Sequence, residues 1–272
     1  MTQILIAAGV LLGIGLLCGI LLVLSDRFFH VEEDETFTKL RACLPGANCG
    51  ACGYSGCDGY AKALAHDDSV ATNLCIPGAD AVAGQIAALL GKEAMDVVEL
   101  IAVAGCDGNC NVTATAYDYS GPASCAAVKL LYGSNGLCRY GCIGMGDCAA
   151  ACPNGAICIR DGIARIDTRQ CTGCGLCTRT CPQHLIRLMP DVAKVVVMCA
   201  NKDKGAQTRK ECSHGCIGCK KCEKACPAGA VTVAENLARI DYDKCVNCGR
   251  CADECPTGAI MKADLSGIHR KE

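Results

Sequence analysis

Tryptophan is absent from the sequence, and its 272 residues include only three phenylalanines and seven tyrosines. That excludes a core assembled from large rings, so bound inorganic groups must supply much of the cohesion such rings provide. Charge is balanced as well: 26 basic and 28 acidic residues leave a formal net charge of -2, so no global cationic surface points to nucleic acid as a partner. Histidine is scarce, and His184 and His214 stand singly beside cysteine runs, unlike the paired histidines of a Rieske centre. No phosphate-cradling glycine loop follows an expected strand, because GCIGMG at 141–146 lies among cysteines; no nucleotide site is expected. Neither a nucleophile with its base nor a pair of acid–base carboxylates stands out, so no catalytic residue is assigned.

Cysteine is what the chain has in excess, with 28 residues. In a short secreted protein that share would mark a disulfide scaffold. Here most cysteines fall at two- and three-residue spacings suited to a shared metal in a reducing compartment. Cys-x2-Cys-x2-Cys-x3-Cys-Pro occurs at Cys216, Cys219, Cys222, Cys226 and Pro227, and again at Cys245, Cys248, Cys251, Cys255 and Pro256. This is the pattern of two-cluster ferredoxins, in which three thiolates of one loop and the fourth cysteine of the other run hold each 4Fe-4S cube. The expected sets are Cys216, Cys219, Cys222 and Cys255 for one cube, and Cys245, Cys248, Cys251 and Cys226 for the other. Zinc has no use for the third and fourth cysteines repeated with proline.

The segment from Cys138 to Cys181 matches Cys212 to Cys255 at a constant offset of 74 residues. The first unit should therefore hold a cube on Cys171, Cys174, Cys177 and Cys152. Its other loop departs from the pattern, because Met145 stands opposite Cys219 and methionine substitutes poorly for thiolate. Cys138 is the nearest thiol able to complete a set with Cys142, Cys148 and Cys181. Cys125 and Cys199 also match at offset 74, and with Cys212 and either Cys106 or Cys110 they are enough for a sixth cube. Cys158 falls opposite Thr232 and reads as a buried strand residue, while Cys43 reads as a packed spare.

Residues Ile4 to Leu24 are uncharged and, as a helix, would match the hydrocarbon thickness of a bilayer. They read as a single transmembrane anchor. No basic residue precedes the run and no small-residue cleavage site follows it, as a signal peptide would require. Arg27, Lys39 and Arg41 lie after it, which places the cysteine-rich body in the cytoplasm. A cytoplasmic chain leaves the sequon at Asn111 unused. Glu32 to Glu35 and Asp67-Asp68 read as solvated acidic faces.

Next comes LPGANCGACGYSGC at 44–57, giving Cys49-x2-Cys52-x4-Cys57-x17-Cys75. Four thiolates so spaced can hold one cube, though this set alone leaves zinc open. An apolar helix, this motif with its later cysteine, and ferredoxin repeats in that order resemble the B subunit of the Rnf complexes, the membrane-bound ion-translocating ferredoxin:NAD oxidoreductases. The resemblance covers nearly the whole chain, although the chain carries two ferredoxin pairs and is longer than the shortest members. It implies a single-pass protein of the inner (cytoplasmic) membrane that takes electrons from reduced ferredoxin. It also implies other Rnf-type membrane and NAD-binding subunits as partners.

The expected fold is α+β. Residues 1–25 form the transmembrane anchor, 26–91 a four-cysteine domain, 92–135 a cysteine-containing connector, 136–190 one ferredoxin domain and 191–265 a second. Five 4Fe-4S clusters are expected, with thiols to spare for a sixth. The chain reads as an electron wire within a larger oxidoreductase. The alternatives are an iron-sulfur relay of another membrane oxidoreductase or of a sensor-reducing complex, and a zinc scaffold.

Overall fold

The computed structural model describes residues 2–28 and 35–265, with side chains in the first helix described at Ile6 and from Leu12 to Ser25. Helix α1 (Thr2–Phe28) covers the stretch expected to cross the membrane. Among the described residues, however, no helix is long and apolar enough to do so. This corrects the expectation of a single N-terminal transmembrane helix. Of the acidic stretch, Glu32, Glu33 and Asp34 lie outside the described residues, while Glu35 opens α2 (Glu35–Cys43) and pairs with Lys39.

Three helices build the first cysteine domain: α2, α3 (Cys57–His66) and α4 (Ala79–Leu90), the last preceded by a 3-10 turn at Ile76–Gly78. Leu40, Tyr60, Leu64 and Ile86 are buried together with Cys57 and Cys75. Tyr60 is the domain's central ring, and its hydroxyl donates to the Ala71 carbonyl at 2.7 Å.

Strand β1 (Leu100–Ala104) and helix α5 (Cys125–Tyr132) follow, and then a ferredoxin unit of α6 (Asp147–Ala150), β2 (Ile157–Arg160), β3 (Ile163–Ile166), α7 (Leu176–Thr180) and β4 (Ile186–Pro190). The second unit consists of β5 (Val195–Val197), α8 (Gly205–Glu211), α9 (Lys221–Ala225), β6 (Val231–Ala234), β7 (Leu237–Ile240), α10 (Arg250–Asp253) and β8 (Ile260–Lys262). Each unit has an inner antiparallel hairpin, β2–β3 or β6–β7, and an outer antiparallel pair, β1–β4 or β5–β8. The first unit thus takes its outer strand from the segment expected to be a connector.

The registers locate a break in the repeat. Ala104 pairs with Ile186, and Val197 pairs with Ile260. Ile186 and Ile260 are 74 positions apart whereas Ala104 and Val197 are 93 apart, so the first unit carries an insertion of nineteen residues after its outer strand. Cys106, two residues past Ala104, is therefore the counterpart of Cys199, and Cys125 sits within the extra length. Its match to Cys199 at offset 74 is a coincidence of numbering.

Ile101 and Val103 of β1, Met189 of β4 and Val196 of β5 share one core with Leu265, sealing one unit against the other. Ile101 is almost wholly enclosed there. Ile101→Ala should cost about 2–5 kcal/mol by removing buried methyl groups and leaving a cavity. Denaturant unfolding followed by circular dichroism measures this, and a loss below about 1 kcal/mol would show that the joint is loosely packed.

Candidate iron-sulfur sites

In the second unit Cys216 and Cys219 on the loop ahead of α9 and Cys222 on α9 itself line one recess with Cys255 from the opposite run. At the other end, burial and then the neighbouring Cys245 and Cys226 push the Cys251 thiol up. Cys248 stands at the exposed edge of the same loop. In the first unit Cys171, Cys174 and Cys177 line a recess with Cys152. Near the N-terminus, burial raises Cys75 to about 11, with Cys57, Cys49 and Cys52 adding to the effect.

Beside the loop containing Met145 the structure brings together cysteines other than the expected Cys138. The recess there is lined by Cys106, Cys125, Cys142, Cys148 and Cys181, and Cys138 is not among them. The inserted segment folds as α5 with Cys125 at its first position, and Asp147 holds that end in place. One Asp147 carboxylate oxygen accepts from the Cys125 amide at 2.8 Å, and the other from the Ala126 amide at 3.0 Å and the Ser124 hydroxyl at 2.9 Å. Burial alone would raise the Asp147 carboxyl, yet these donors outweigh it and hold the group below the ordinary carboxylate range. Met145 packs beside Cys125, Val128 and Ile143 as an apolar neighbour.

Cys138 lines instead a recess between the units, where Cys106, Cys138, Cys199 and Cys212 occupy paired positions and Cys142 also reaches the wall. Two of the paired thiols come from each unit at equivalent positions, and the surrounding amides repeat the symmetry. Cys106 Sγ accepts from the Gly108 and Cys142 amides, both at 3.4 Å. Cys199 Sγ accepts from the Asn201 amide at 3.4 Å and the Cys216 amide at 3.3 Å. The buried Asn201 side chain also donates to Cys138 Sγ at 3.4 Å and is held by Glu211 at 3.1 Å. Cys110 is exposed and does not line this recess. Cys158 lies on β2 opposite Arg165 but is exposed rather than buried.

These surroundings suit an inorganic cluster. Four or five thiols line each of these recesses, and amide N–H groups point at sulfur, as a thiolate carrying negative charge requires. Among the described residues, no three of His, Cys, Asp or Glu converge on a point where one ion could be gripped; the thiols ring a space instead. The loops also demand glycine where they cross other backbone. At Gly144 (φ 78) a side chain would run into the Gly162 carbonyl, and at Gly173 (φ 67) into the Leu100 carbonyl. Burial pushes Cys106 and Cys148 up to about 12 and Cys177, Cys199 and Cys222 to about 11. Free thiols so placed are held protonated at neutral pH, and assembling a cluster releases those protons.

The first cysteine domain abuts the Cys171 loop. Arg179, between Cys177 and Cys181, donates to the Cys49 carbonyl, and Gly173 lies against Ile76. His214 reaches Asp107 at 2.8 Å, and Arg165 reaches the same carboxylate at 3.0 Å, joining the units beside Cys106 and Cys212. Asp107, Asn201, Arg179 and Asp147 carry no motif signal. The 93-residue spacing of Cys106 and Cys199 was the one cue available, and the insertion hides it.

A row of thiol-lined recesses on ferredoxin hairpins defines a multi-cluster ferredoxin, an electron carrier with 4Fe-4S clusters. Family models described as a 4Fe-4S dicluster domain match residues 215–259 and 170–231, and an Fe-S cluster model matches 44–77. The chain is 40% identical over 245 residues to the B subunit of the Na(+)-translocating ferredoxin:NAD(+) oxidoreductase complex of Acetobacterium woodii, covering 90% of this chain and 73% of the relative. It is 45% identical over 229 residues to the B subunit of the proton-translocating ferredoxin:NAD(+) oxidoreductase complex of Clostridium ljungdahlii, covering 84% and 81%. It is 40% identical over 236 residues to the B subunit of the ion-translocating oxidoreductase complex of Methanosarcina acetivorans, covering 86% and 89%. The chain therefore belongs to the family of Rnf-complex B subunits, as an iron-sulfur electron-transfer subunit of an ion-translocating ferredoxin:NAD oxidoreductase.

Asp147→Ala should release the first turn of α5, at a cost of about 1–3 kcal/mol from amides left without acceptors. Faster hydrogen exchange at Cys125 and Ala126 than in the rest of the unit is the expected readout. Unchanged protection there would show that α5 is held by packing alone.

Proposed function

We propose that the chain relays electrons from reduced ferredoxin to the other subunits of its membrane-associated complex through six 4Fe-4S sites arranged in a row. The row runs from Cys245, Cys248, Cys251 and Cys226 to Cys216, Cys219, Cys222 and Cys255, and then to the shared site of Cys106, Cys138, Cys199 and Cys212. It continues through Cys125, Cys142, Cys148 and Cys181, then Cys152, Cys171, Cys174 and Cys177, and ends at Cys49, Cys52, Cys57 and Cys75. Each bound cluster supplies one-electron redox chemistry. The protein's own part is to space the sites, exclude water and aim amides at sulfur. NAD reduction and ion movement belong to other subunits, and the cysteine-rich body faces the compartment that holds ferredoxin and NAD.

The observation that supports this reading is the shared recess, which brings Cys106 and Cys138 of one ferredoxin unit, with Cys142 beside them, to Cys199 and Cys212 of the other. Its Cys106 accepts from the amide of Cys142, and its Cys199 from the amide of Cys216. The first thiol-bearing residue of each flanking loop thus touches the central set directly. Without a cluster here the two units would be separate ferredoxins side by side.

Iron and sulfide per chain test the assignment. Six cubes require roughly 24 irons, at four per cube. Cys199→Ala and Cys138→Ala should each lose about four irons, and the double variant no more than either single one. Cys125→Ala should lose about four from a different site, so adding it to Cys199→Ala should remove about eight. Unchanged iron in Cys199→Ala would sink the shared site.

The insertion makes a second, independent prediction. If Cys125 supplies the thiol that Met145 cannot, Met145→Cys in the Cys125→Ala background should restore the lost iron. Iron that stays low in the double variant, with secondary structure intact, would show that Cys125 is not a ligand.

A further inference from the structure

Four loops in the ferredoxin units share one backbone path. The residue just before each short helix takes the left-handed conformation: Gly146 before α6 (φ 89), Gly175 before α7 (φ 71), Lys220 before α9 (φ 60) and Gly249 before α10 (φ 79). Three of these are glycine, which adopts that conformation without penalty, while the fourth is a lysine whose Cβ is strained there. Packing does not call for it: Lys220 is exposed, as are Lys221 and Lys224, and among the described residues none of the three has an ion-pair partner. Glu223, the acid on the same short helix, is turned toward the Val233 amide.

The same loop offers an exposed thiol, Cys219, whose recess Lys220 helps to line. Only one other loop of the ferredoxin units exposes its middle cysteine. That is Cys248, where the left-handed residue is glycine, and where Lys262 and Lys244 are neutralised by Asp253 and Asp241. The first unit's loops offer no comparable surface. Cys174 is buried, next to Gly173 which lies against Ile76 of the N-terminal domain, and the counterpart of Cys219 is Met145. A strained lysine, two further unpaired lysines and an exposed thiol therefore coincide at a single place.

We propose that this loop is the docking surface for an acidic iron-sulfur carrier protein, with Lys220, Lys221 and Lys224 meeting its carboxylates around Cys219. The partner is identified by charge and chemistry: three unpaired cations beside a redox thiol select an acidic protein whose own cluster lies near its surface. This rests on the relay reading above. One electron leaves the reduced carrier, which is oxidised by one equivalent, and the cluster held by Cys216, Cys219, Cys222 and Cys255 is reduced by one; no bond or proton changes hands. Cys219 faces the carrier while Cys216, in the same set, touches the shared site through Cys199. An electron admitted here reaches the centre of the row without first crossing the site of Cys248.

The test uses the full chain with its clusters, a small acidic two-cluster ferredoxin as probe, and the variants Lys220→Gly, Lys221→Gln and Lys224→Gln. Binding of the oxidised probe and the second-order rate of cluster reduction by the reduced probe are measured against ionic strength. The triple variant should bind and react about tenfold more weakly at low salt, with a shallower salt dependence, converging on wild type at high salt. Reduction by dithionite, iron content and melting temperature should not fall, because glycine is what the other three loops carry at this position. Equal rates and equal salt slopes in wild type and variant overturn the docking site while leaving the relay intact. A wild type that ferredoxin does not reduce, though dithionite does, overturns ferredoxin as the donor. Loss of partner subunits from the purified complex, with ferredoxin rates unchanged, overturns the assignment by giving the patch to a subunit of the complex.

Discussion

Everything in the two ferredoxin units is referred to a ring of sulfur at their junction. Cys106 and Cys138 come from one unit, Cys199 and Cys212 from the other, and an amide from each neighbouring loop points inward at them. Thiols brought this close in a protein interior are unfavourable when charged and unpartnered, since burial penalises thiolate. Nearby cations do not resolve this, because the residues donating to the ring are amides and one asparagine. A cluster with its own iron charge would, which is why the proposed sixth site suits this junction. The Asp107 contacts with Arg165 and His214 stitch the same seam from outside.

Duplication accounts for the symmetry of the ring and also for where it fails. In the second unit the loop before α9 and the helix itself supply three thiols of their own. In the first unit the middle one is Met145, and nineteen additional residues place α5, with Cys125 at its first position, alongside. Asp147 couples the two changes. It sits directly before Cys148 in the altered segment and binds the first amides of the inserted helix, so the residue that orients Cys125 belongs to the segment Cys125 faces across the recess.

How much of this could be read from the chain depends on whether the determinant was local. Cys-x2-Cys-x2-Cys-x3-Cys-Pro is local, and the crossed sets of the second unit and the Cys171 loop follow from it without knowledge of the fold. The partition of Cys125 and Cys138 is not local. It depends on strand register, where Ala104 and Val197 pair equivalently despite a spacing that breaks the repeat, and a constant offset of 74 pointed to the wrong partner for Cys199. The apolar N-terminus misled for a different reason. Composition suggested a span, whereas among the described residues no helix is long and apolar enough to be one. Asn201 and Arg179 left no trace in the sequence because single polar residues have no periodicity to reveal what they touch.

The scarcity of aromatic residues fits the same physical picture. Around the ferredoxin sites the core mixes alanines (Ala102, Ala104, Ala164, Ala238 and Ala259) with branched aliphatics such as Ile157, Val195 and Ile260 and holds no aromatic ring, packed with the cysteines themselves. Small side chains let the backbone come close enough to the recesses for N–H groups to reach sulfur, as Ala102 does to Cys171 at 3.4 Å and Ala230 to Cys226 at 3.3 Å. Large rings at those positions would fill the volume the clusters need and hold the amides away. A core that leaves this room gives up much of the apolar burial that stabilises an ordinary domain. Cluster binding must then supply stability as well as redox chemistry, which makes folding of these units dependent on the groups they carry.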